Sequence, residues 1–305
     1  MIVVTTPTGN IGRLIAQNLL TSGAPVRVIA RDPTCLTTEL RDNCEVVPGS
    51  HGDAAVVNEA FKGAEAVFWL APPDPKAASV MAAYVDFTRP AAMAIKERGV
   101  KRVVSITALG RSTPYALRAG YVTGSLAMDD MFLGTGVAFR GLACPSFMDN
   151  ILRQVAAIRD QGKFYSPISG DLKLPSVATQ DIAAVATRWL LDNKWTGHGE
   201  VPVLGPEDIS FNDMAEIISD VLGARVSYQQ ISLEAYKARL LRFGMSDAMA
   251  QGMTDMAWAK DRGLDLGASR TAETGTPTSF RNWCEEKLVP AVLGQTESKA
   301  ERQQG

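Results

Sequence analysis

A short segment near the N-terminus, Thr8-Gly9-Asn10-Ile11-Gly12, has the residue types and spacing of an anion-binding turn. It follows a β-branched run, 2–4, and it opens a segment with apolar residues at helical spacing, 11–20. Glycines let the backbone approach a pyrophosphate closely, and the free N–H groups of a first helical turn point towards it. Gly9 and Gly12 hold the second and third glycine positions of the dinucleotide pattern, while Pro7 replaces the first. The turn predicts a dinucleotide site, and the alternative is an ordinary strand-to-helix turn.

Two arginines indicate which dinucleotide would bind. In such sites an acidic residue at the end of the second strand binds a ribose 2′-hydroxyl, whereas an arginine there accommodates a 2′-phosphate. The second predicted strand, 25–30, is followed by Arg31, nineteen positions after Gly12, and Arg13 directly follows the glycine turn. Guanidinium groups suit phosphate because they form forked hydrogen bonds. We therefore expect NADP(H) rather than NAD(H), although Asp32 would bring a carboxylate near the ribose if the strand end shifted by one residue.

Composition and charge argue against several classes of protein. The chain has 305 residues, of which 46% are hydrophobic and 21% charged, as is typical of a globular protein. Its net charge of −2, without a Lys/Arg stripe, argues against a nucleic-acid or anionic-membrane partner. No apolar run approaches the ~20 residues that cross a bilayer, and no signal peptide is evident, so we expect a cytoplasmic protein. Four scattered cysteines predict reduced thiols and no metal site, and both histidines, His51 and His198, are expected to be exposed.

Strands and helices alternate regularly through the first half of the chain. The predicted strands lie at 2–4, 25–30, 44–47, 66–70, 101–107 and 136–143, with helices at 54–61, 76–99 and 117–133. Pro90 predicts a kink or a break in the long helix. Alternation of this kind predicts a Rossmann-type α/β fold, in which a doubly wound parallel sheet is covered by helices on both faces.

The pattern changes after Pro145. We predict helices at 150–160, 179–191, 210–222, 233–242 and 247–261, with a seventh strand at 201–204. The chain is therefore divided into a dinucleotide-binding domain, 1–150, and a mixed segment, 151–293. The mixed segment would complete the sheet and form a smaller, mostly helical substrate lobe over the carboxyl ends of the strands, where open α/β sheets bind ligands. The polar tail, 294–305, is predicted to be disordered.

Several segments, in a fixed order, resemble the NmrA-like family, an atypical branch of the short-chain dehydrogenases/reductases. They are Thr8–Gly12, Val26–Pro33, Gly99–Val104, Pro145–Asn150, Gln180–Ala183, Val221–Gly223 and Gly275–Phe280. The resemblance spans nearly the whole chain and implies an NAD(P) fold with a C-terminal substrate lobe. It does not choose a chemistry, because some members reduce quinones, azo dyes or triphenylmethane dyes and others are redox-sensing regulators that bind the cofactor without turnover.

The usual catalytic dyad of short-chain reductases is incomplete in this chain. In that dyad a tyrosine protonates the substrate, and a lysine four residues later lowers its pKa. Here Ser125 stands four residues after Tyr121, and the predicted helix contains no lysine. Tyr121 remains the candidate for orienting a substrate, or else a core aromatic, and Thr107 stands where the family often carries a substrate-binding serine. Asp129 and Asp130 are adjacent, so on a helix they diverge by about 100° and do not form a paired-acid site.

The resemblance also implies cofactor contacts at the ends of other strands. The family usually has an aspartate after Gly49 that contacts adenine, whereas this chain has Ser50, and Asp53 would either replace that aspartate or cap the next helix. The remaining expected cofactor-binding residues are Leu70, Ala71, Pro72, Thr107, Pro145, Phe147 and Asn150, with the last two beside the nicotinamide. For each of them a purely structural role in a loop is the alternative.

We therefore expect an NADPH-dependent oxidoreductase that transfers hydride to a small planar conjugated acceptor of the quinone, azo or imine type. Such acceptors delocalise the charge that forms, and solvent can supply the proton. The alternative is a non-catalytic NADP(H)-sensing regulatory protein that acts through a protein partner. A methionine stripe would line an adaptable aromatic pocket or, more simply, the core or a subunit interface; it comprises Met245, Met249, Met253 and Met256. The sequence leaves a homodimer open.

Overall fold

The computed structural model describes residues 1–294. Its strands are β1 (Ile2–Val4), β2 (Val26–Ala30), β3 (Glu45–Pro48), β4 (Ala66–Trp69), β5 (Arg102–Ala108), β6 (Ala138–Cys144), β7 (Ser146–Phe147), β8 (Lys163–Ser166), β9 (Leu174–Val177), β10 (His198–Pro202), β11 (Asp208–Ile209) and β12 (Ser227–Gln230). Its α-helices are α1 (Asn10–Thr21), α2 (Thr38–Asn43), α3 (Ala54–Ala60), α4 (Phe87–Arg98), α5 (Tyr121–Leu133), α6 (Val155–Gln161), α7 (Thr179–Leu191), α8 (Phe211–Leu222), α9 (Leu233–Arg242), α10 (Asp247–Lys260), α11 (Phe280–Trp283) and α12 (Val289–Val292). The predicted disordered tail lies, apart from Gly294, outside the described residues.

Seven parallel strands form the central sheet, in the order β10-β6-β5-β4-β1-β2-β3. The chain winds outward from β1 in one direction through β2 and β3, and in the other through β4, β5, β6 and β10. The order therefore reverses between β1 and β4, and a crevice opens there at the carboxyl ends of the strands, where ligands bind in such folds. The predicted Rossmann-type α/β fold is confirmed.

Apolar side chains on both faces of the sheet explain why helices cover both. Successive strand residues point to opposite faces, so Val4 packs under one helical layer with Ile15, whereas Val3 packs under the other with Phe132. The first layer contains α1 and α7, which pack against each other, and the second contains α3, α4 and α5. Strands that are buried on both faces are typical of parallel sheets.

The second half of the chain both completes the sheet and builds a lobe of its own. β10 pairs with β6 as the outer strand of the sheet, at 198–202 rather than the predicted 201–204. The lobe contains two small sheets, β11-β9-β7 and β12-β8, and a separate core in which Phe164, Phe280 and Trp283 are fully buried. The lobe is mostly helical, as predicted, and also contains these two small sheets.

Two predicted helices begin later than expected. The helix predicted over 76–99 begins as a π-helical turn at Ala82–Asp86 and continues as α4, because the preceding residues 72–75 contain three prolines and the Ser79 hydroxyl accepts from the N–H of Ala82 at 3.0 Å. Pro90 does not end α4, and the regular hydrogen-bond ladder is interrupted just before it by the wider π-helical turn at Ala82–Asp86. The helix predicted from 117 begins at Tyr121, because Gly120 has a φ of 52° and interrupts it.

Within residues 1–294, no helix combines the length and the apolar character that a membrane crossing requires.

Candidate functional site

The glycine turn lies between β1 and α1, at the reversal of strand order. α1 begins at Asn10 with Gly9 as its N-cap, and no side chain caps its first N–H groups. A Cβ atom on Gly12 would lie 2.3 Å from the carbonyl oxygen of Thr6 and 2.7 Å from that of Thr5, so no other residue fits without moving the backbone. The turn therefore leaves an uncapped helix N-terminus open to an anion, and this cradle fits the pyrophosphate of a dinucleotide.

Side chains at the strand ends fasten this turn to its neighbours. The Thr5 hydroxyl donates to the carbonyl oxygen of Phe68 at 3.1 Å and accepts from the N–H of Leu70 at 3.0 Å. These two bonds join the end of β1 to the end of β4. Leu70 is half-buried, Ala71 is buried and Pro72 is exposed, so the segment 70–72 emerges from the sheet directly beside the glycine turn.

Two arginine side chains lie at the end of the crevice where the adenosine ribose is expected, and both lack a polar partner within residues 1–294. Arg31 is exposed at the end of β2, and Arg13 is half-buried in the first turn of α1. Among residues 1–294 neither side chain makes a hydrogen bond or an ion pair. The Asp32 carboxylate is already occupied, since it accepts from the N–H and the hydroxyl of Thr34 at 2.9 Å and 2.7 Å. These bonds lower the pKa of Asp32 and hold its carboxylate in its own turn.

The loop after β3 holds the residues expected at the adenine. The Ser50 hydroxyl accepts from the N–H of Gly52 at 3.2 Å. The Asp53 carboxylate accepts from the N–H groups of Ala55 and Val56 at 2.9 Å and 3.1 Å, so it caps α3. Of the two roles predicted for Asp53, the structure shows helix capping.

The prediction that His51 is exposed is wrong. Only 7% of its surface is accessible, and its ring packs edge-on against Trp69 and Phe87. Its Nε2 lies 3.0 Å from the carbonyl oxygen of Leu70, so it joins the β3–α3 loop to the segment after β4. Burial lowers the pKa of His51 to about 4, which makes it a neutral structural residue of the crevice wall. No local sequence signal indicates this burial, because its partners lie 18 and 36 positions away. His198 is exposed, as predicted.

The loop after β6 lies where the nicotinamide is expected. Pro145 is buried, the ring of Phe147 is half-buried against the core, and Asn150 is exposed. Asp149 fixes the loop, because its carboxylate accepts from the hydroxyl of Thr179 at 2.8 Å and from the N–H of the same residue at 3.2 Å. The loop is thereby held against the start of α7.

The structure brings together Thr107 and the residue that replaces the lysine. The Oγ1 atom of Thr107, near the end of β5, lies 3.2 Å from the Oγ atom of Ser125 on α5, and both residues are buried. Tyr121, one turn earlier on α5, is 9% exposed and packs edge-on against Tyr84. Burial raises the pKa of Tyr121 to about 12, and the lowering effect of Arg153 does not offset it, whereas the lysine of the usual dyad would stand four residues later on the same helix.

The methionine stripe covers Tyr121. Met249 is fully buried on α10 and packs with Tyr121, and the half-buried members Met245, Met253 and Met256 belong to the same cluster. α10 approaches α5 very closely, because a Cβ atom on Gly120 would lie 1.9 Å from the carbonyl oxygen of Gly252. The stripe therefore serves first as the packing surface between the lobe and α5.

A buried carboxyl group lies below the hydroxyl pair. Asp129 is 1% exposed, and neither of its carboxyl oxygens has a hydrogen-bond partner among the described residues. Asp130, by contrast, is exposed and binds Arg111 at 2.7 Å, the same guanidinium that lies 3.6 Å from Asp129. Sequence reasoning missed Asp129 as a member of the site. The available signal was the spacing of Tyr121, Ser125 and Asp129, which places them four residues apart along one helix face.

Cysteine, histidine and carboxylate side chains do not gather in a metal-binding group of three or more anywhere in residues 1–294. The four cysteines are free thiols.

Comparison with known proteins agrees with this geometry. The family model described as NAD(P)H-binding matches residues 7–193, and the NmrA-like family model matches residues 135–274. The chain is 30% identical over 292 residues to (4-alkanoyl-5-oxo-2,5-dihydrofuran-3-yl)methyl phosphate reductase of Streptomyces griseus, covering 94% of this chain and 97% of the relative. It is 28% identical over 258 residues to NAD(P)H azoreductase of Xenophilus azovorans, covering 84% and 86% of the two chains.

A solved structure shares the fold at lower identity. The triphenylmethane reductase of Citrobacter sp., complexed with NADP(H), superposes with a TM-score of 0.78 at 20% identity, covering 96% of this chain and 100% of that one. The first family model spans more than half of the chain, and the Streptomyces relative is matched over nearly its whole length. The chain therefore belongs to the NAD(P)H-binding, NmrA-like family.

Proposed function

We propose that this protein is an NADPH-dependent reductase that transfers hydride to a small planar conjugated acceptor of the quinone, azo or imine type. The observation that carries the proposal is the hydrogen bond between Thr107 and Ser125, at the position where the usual dyad has its lysine. Without that cation Tyr121 keeps its raised pKa, so it is a poor proton donor for a simple ketone. A conjugated acceptor needs less help, because the charge left by hydride transfer is delocalised.

The relatives support a reductase. The azoreductase of Xenophilus azovorans and the (4-alkanoyl-5-oxo-2,5-dihydrofuran-3-yl)methyl phosphate reductase of Streptomyces griseus both match this chain over most of its length. The free guanidinium groups of Arg13 and Arg31 support NADPH as the cofactor, since each is available to bind a 2′-phosphate. When bound, the cofactor supplies the hydride. The chain itself would bind the pyrophosphate at the glycine turn and orient the acceptor beside Thr107 and Phe147.

A second candidate is a non-catalytic NADP(H)-sensing protein that acts through a protein partner. The packing of α10 onto Tyr121 favours it, because the protein's own side chains fill space beside α5 that a bulky acceptor would need. An open groove of about 410 Å³ does run along the outer seam of α5 and α10, but its lining includes neither Thr107 nor Tyr121.

Single-turnover oxidation of pre-bound NADPH, followed by absorbance, separates the two candidates. The acceptor panel should contain quinones, azo dyes, imines and simple ketones. Rapid oxidation by the conjugated acceptors, with little by the ketones, is the expected result. Tight NADPH binding without oxidation by any member of the panel would favour the sensor.

A further inference from the structure

The buried carboxyl group of Asp129 has a single ion-pair contact and makes no hydrogen bond within residues 1–294. A carboxylate held out of water is costly unless it is well paired, and neither oxygen of Asp129 has a hydrogen-bond partner among residues 1–294. Its nearest cation is Arg111, whose Nη2 atom lies 3.6 Å from Oδ2, beyond hydrogen-bond distance. The same guanidinium already binds Asp130 and Glu200, so its charge is shared among three carboxyl groups.

Asp129 lies beside the hydroxyl pair of the candidate site. Thr107 and Asp129 both lie next to Gly141 on β6, which has no side chain to separate them. A Cβ atom there would lie 3.1 Å from Cγ2 of Thr107 and 3.5 Å from Oδ2 of Asp129. Thr107 in turn contacts Ser125, 3.2 Å away. Thr107 therefore neighbours both groups, because its hydroxyl contacts Ser125 and it also lies close enough to the carboxyl group of Asp129 to lower its pKa.

We propose that Ser125, Thr107 and Asp129 form a proton relay that supplies the proton accompanying hydride transfer, in place of the tyrosine–lysine dyad. The inference rests on the proposed reductase function. After hydride transfer, the acceptor's oxygen or nitrogen takes the proton of the Ser125 hydroxyl. When a rotation of the Thr107 side chain completes its hydrogen bond to Asp129, the Thr107 proton moves to Ser125 and the carboxyl proton of Asp129 moves to Thr107 in one concerted shift, which leaves Asp129 as a carboxylate. A proton from water restores the carboxyl group.

The groups around Asp129 allow it to exist both as a protonated carboxyl group and as a carboxylate. Burial raises its pKa to about 8, against the lowering effects of the Thr107 hydroxyl and Arg111. Glu200 on β10 and Asp130 on α5 also face it and raise the pKa further. At neutral pH the group therefore holds a proton that it can give up. Arg111 is 34% exposed, so it stabilises the carboxylate that forms and marks the side from which solvent returns the proton.

The proposed role of Asp129 as a proton donor can be tested with two acceptors, one whose reduction requires a proton and one whose reduction does not. Reduction of a quinone or an azo dye takes up a hydride and a proton, whereas reduction of a cationic triphenylmethane dye by hydride gives a neutral product and needs no proton. We expect Asp129→Asn to slow single-turnover reduction of the quinone by about 100-fold, at the lower end of general acid contributions. The rate with the cationic dye should stay within about twofold, because its chemistry bypasses the relay.

The pH profile gives a second, independent signature. With the quinone, the wild-type rate should fall as the pH rises through about 8, where Asp129 loses its proton, and Asp129→Asn should remove that inflection. Asp130→Asn is the matched control, since it also removes a carboxylate that faces Arg111 but lies on the exposed side of α5. It should keep the inflection but move it to lower pH, because the Asp130 carboxylate also raises the pKa of Asp129.

Protonation of Asp129 can be read without turnover. At pH 7 the cofactor-free protein should show the infrared carbonyl band of a protonated carboxyl group, and this band should be absent in Asp129→Asn. If that variant fails to fold, Thr107→Val should produce the same selective loss with the quinone, and Thr107→Ser should restore it. Equal effects of these variants on both acceptors, or no effect on either, would overturn the relay while leaving the reductase intact. A wild-type protein that reduces neither acceptor would overturn the reductase and the relay together.

Discussion

Replacing Arg31 with alanine is expected to weaken the binding of NADPH far more than that of NADH. Arg31 is exposed at the end of β2 and has no partner within residues 1–294, so its guanidinium is available to the 2′-phosphate. A hydrogen bond to a charged group contributes about 1.5–3 kcal/mol, which corresponds to a loss of about 10-fold to 100-fold in affinity. Because solvent screens this exposed group, we expect a value near the lower limit, decreasing further as salt is added.

Fluorescence titration with both dinucleotides, at low and high ionic strength, measures this difference. Asp32→Asn is the matched control, because its carboxylate is held by Thr34 and should not contact the ribose. It should change neither affinity appreciably. Losses of equal size for NADPH and NADH in Arg31→Ala would refute the 2′-phosphate role, and a gain in NADH affinity for Asp32→Asn would show that the carboxylate matters after all.

Three further changes test other parts of the structure. Gly12→Ala should abolish dinucleotide binding in the same titration, because the added Cβ atom would lie 2.3 Å from a backbone oxygen. Lys260→Ala should lower the free energy of unfolding, measured in urea, by about 3–5 kcal/mol, since it leaves the 1% exposed Asp265 without its buried ion-pair partner. Stability should also fall as the pH drops from 6.5 towards 4, because the unfolded chain protonates His51 over a range in which the folded protein does not. Urea unfolding at pH 7 and at pH 5 measures this change in the free energy of unfolding, and the difference between the two pH values should be smaller in His51→Gln.

Each of these has a control within the same chain. Gly199→Ala adds a Cβ atom that meets nothing within 4 Å, and it should leave dinucleotide binding unchanged. Lys237 pairs with the exposed Asp247, so Lys237→Ala should cost less than about 1 kcal/mol. Normal dinucleotide affinity in Gly12→Ala would contradict the assignment of the glycine turn as the binding site. A loss of stability in Lys260→Ala no larger than that in Lys237→Ala would contradict the role of the buried ion pair. An unaltered pH dependence of stability in His51→Gln would contradict the role of the buried, neutral histidine.

The alternation of apolar strands and amphipathic helices was enough to predict the architecture of the first half. A parallel strand is buried on both faces, so its composition alone marks it, and β1 to β6 lie within a few residues of their predicted positions. The lobe was harder to predict because its strands are short and its sheets pair segments far apart in the chain, such as β8 with β12. Helix starts were also displaced, where Gly120 or a run of prolines interrupted an apparent helical pattern.

By itself the sequence determined the sheet, the glycine turn and the absence of a lysine after Tyr121. These are local properties, since they depend on residue type and on spacing along one segment. Only the tertiary structure decided that His51 is buried against Trp69, that α10 covers Tyr121, and that Asp129 lies under Thr107. These arrangements depend on contacts between distant segments and on which side chains lose water, and the loss of water is what changes the acidity of a histidine or an aspartate.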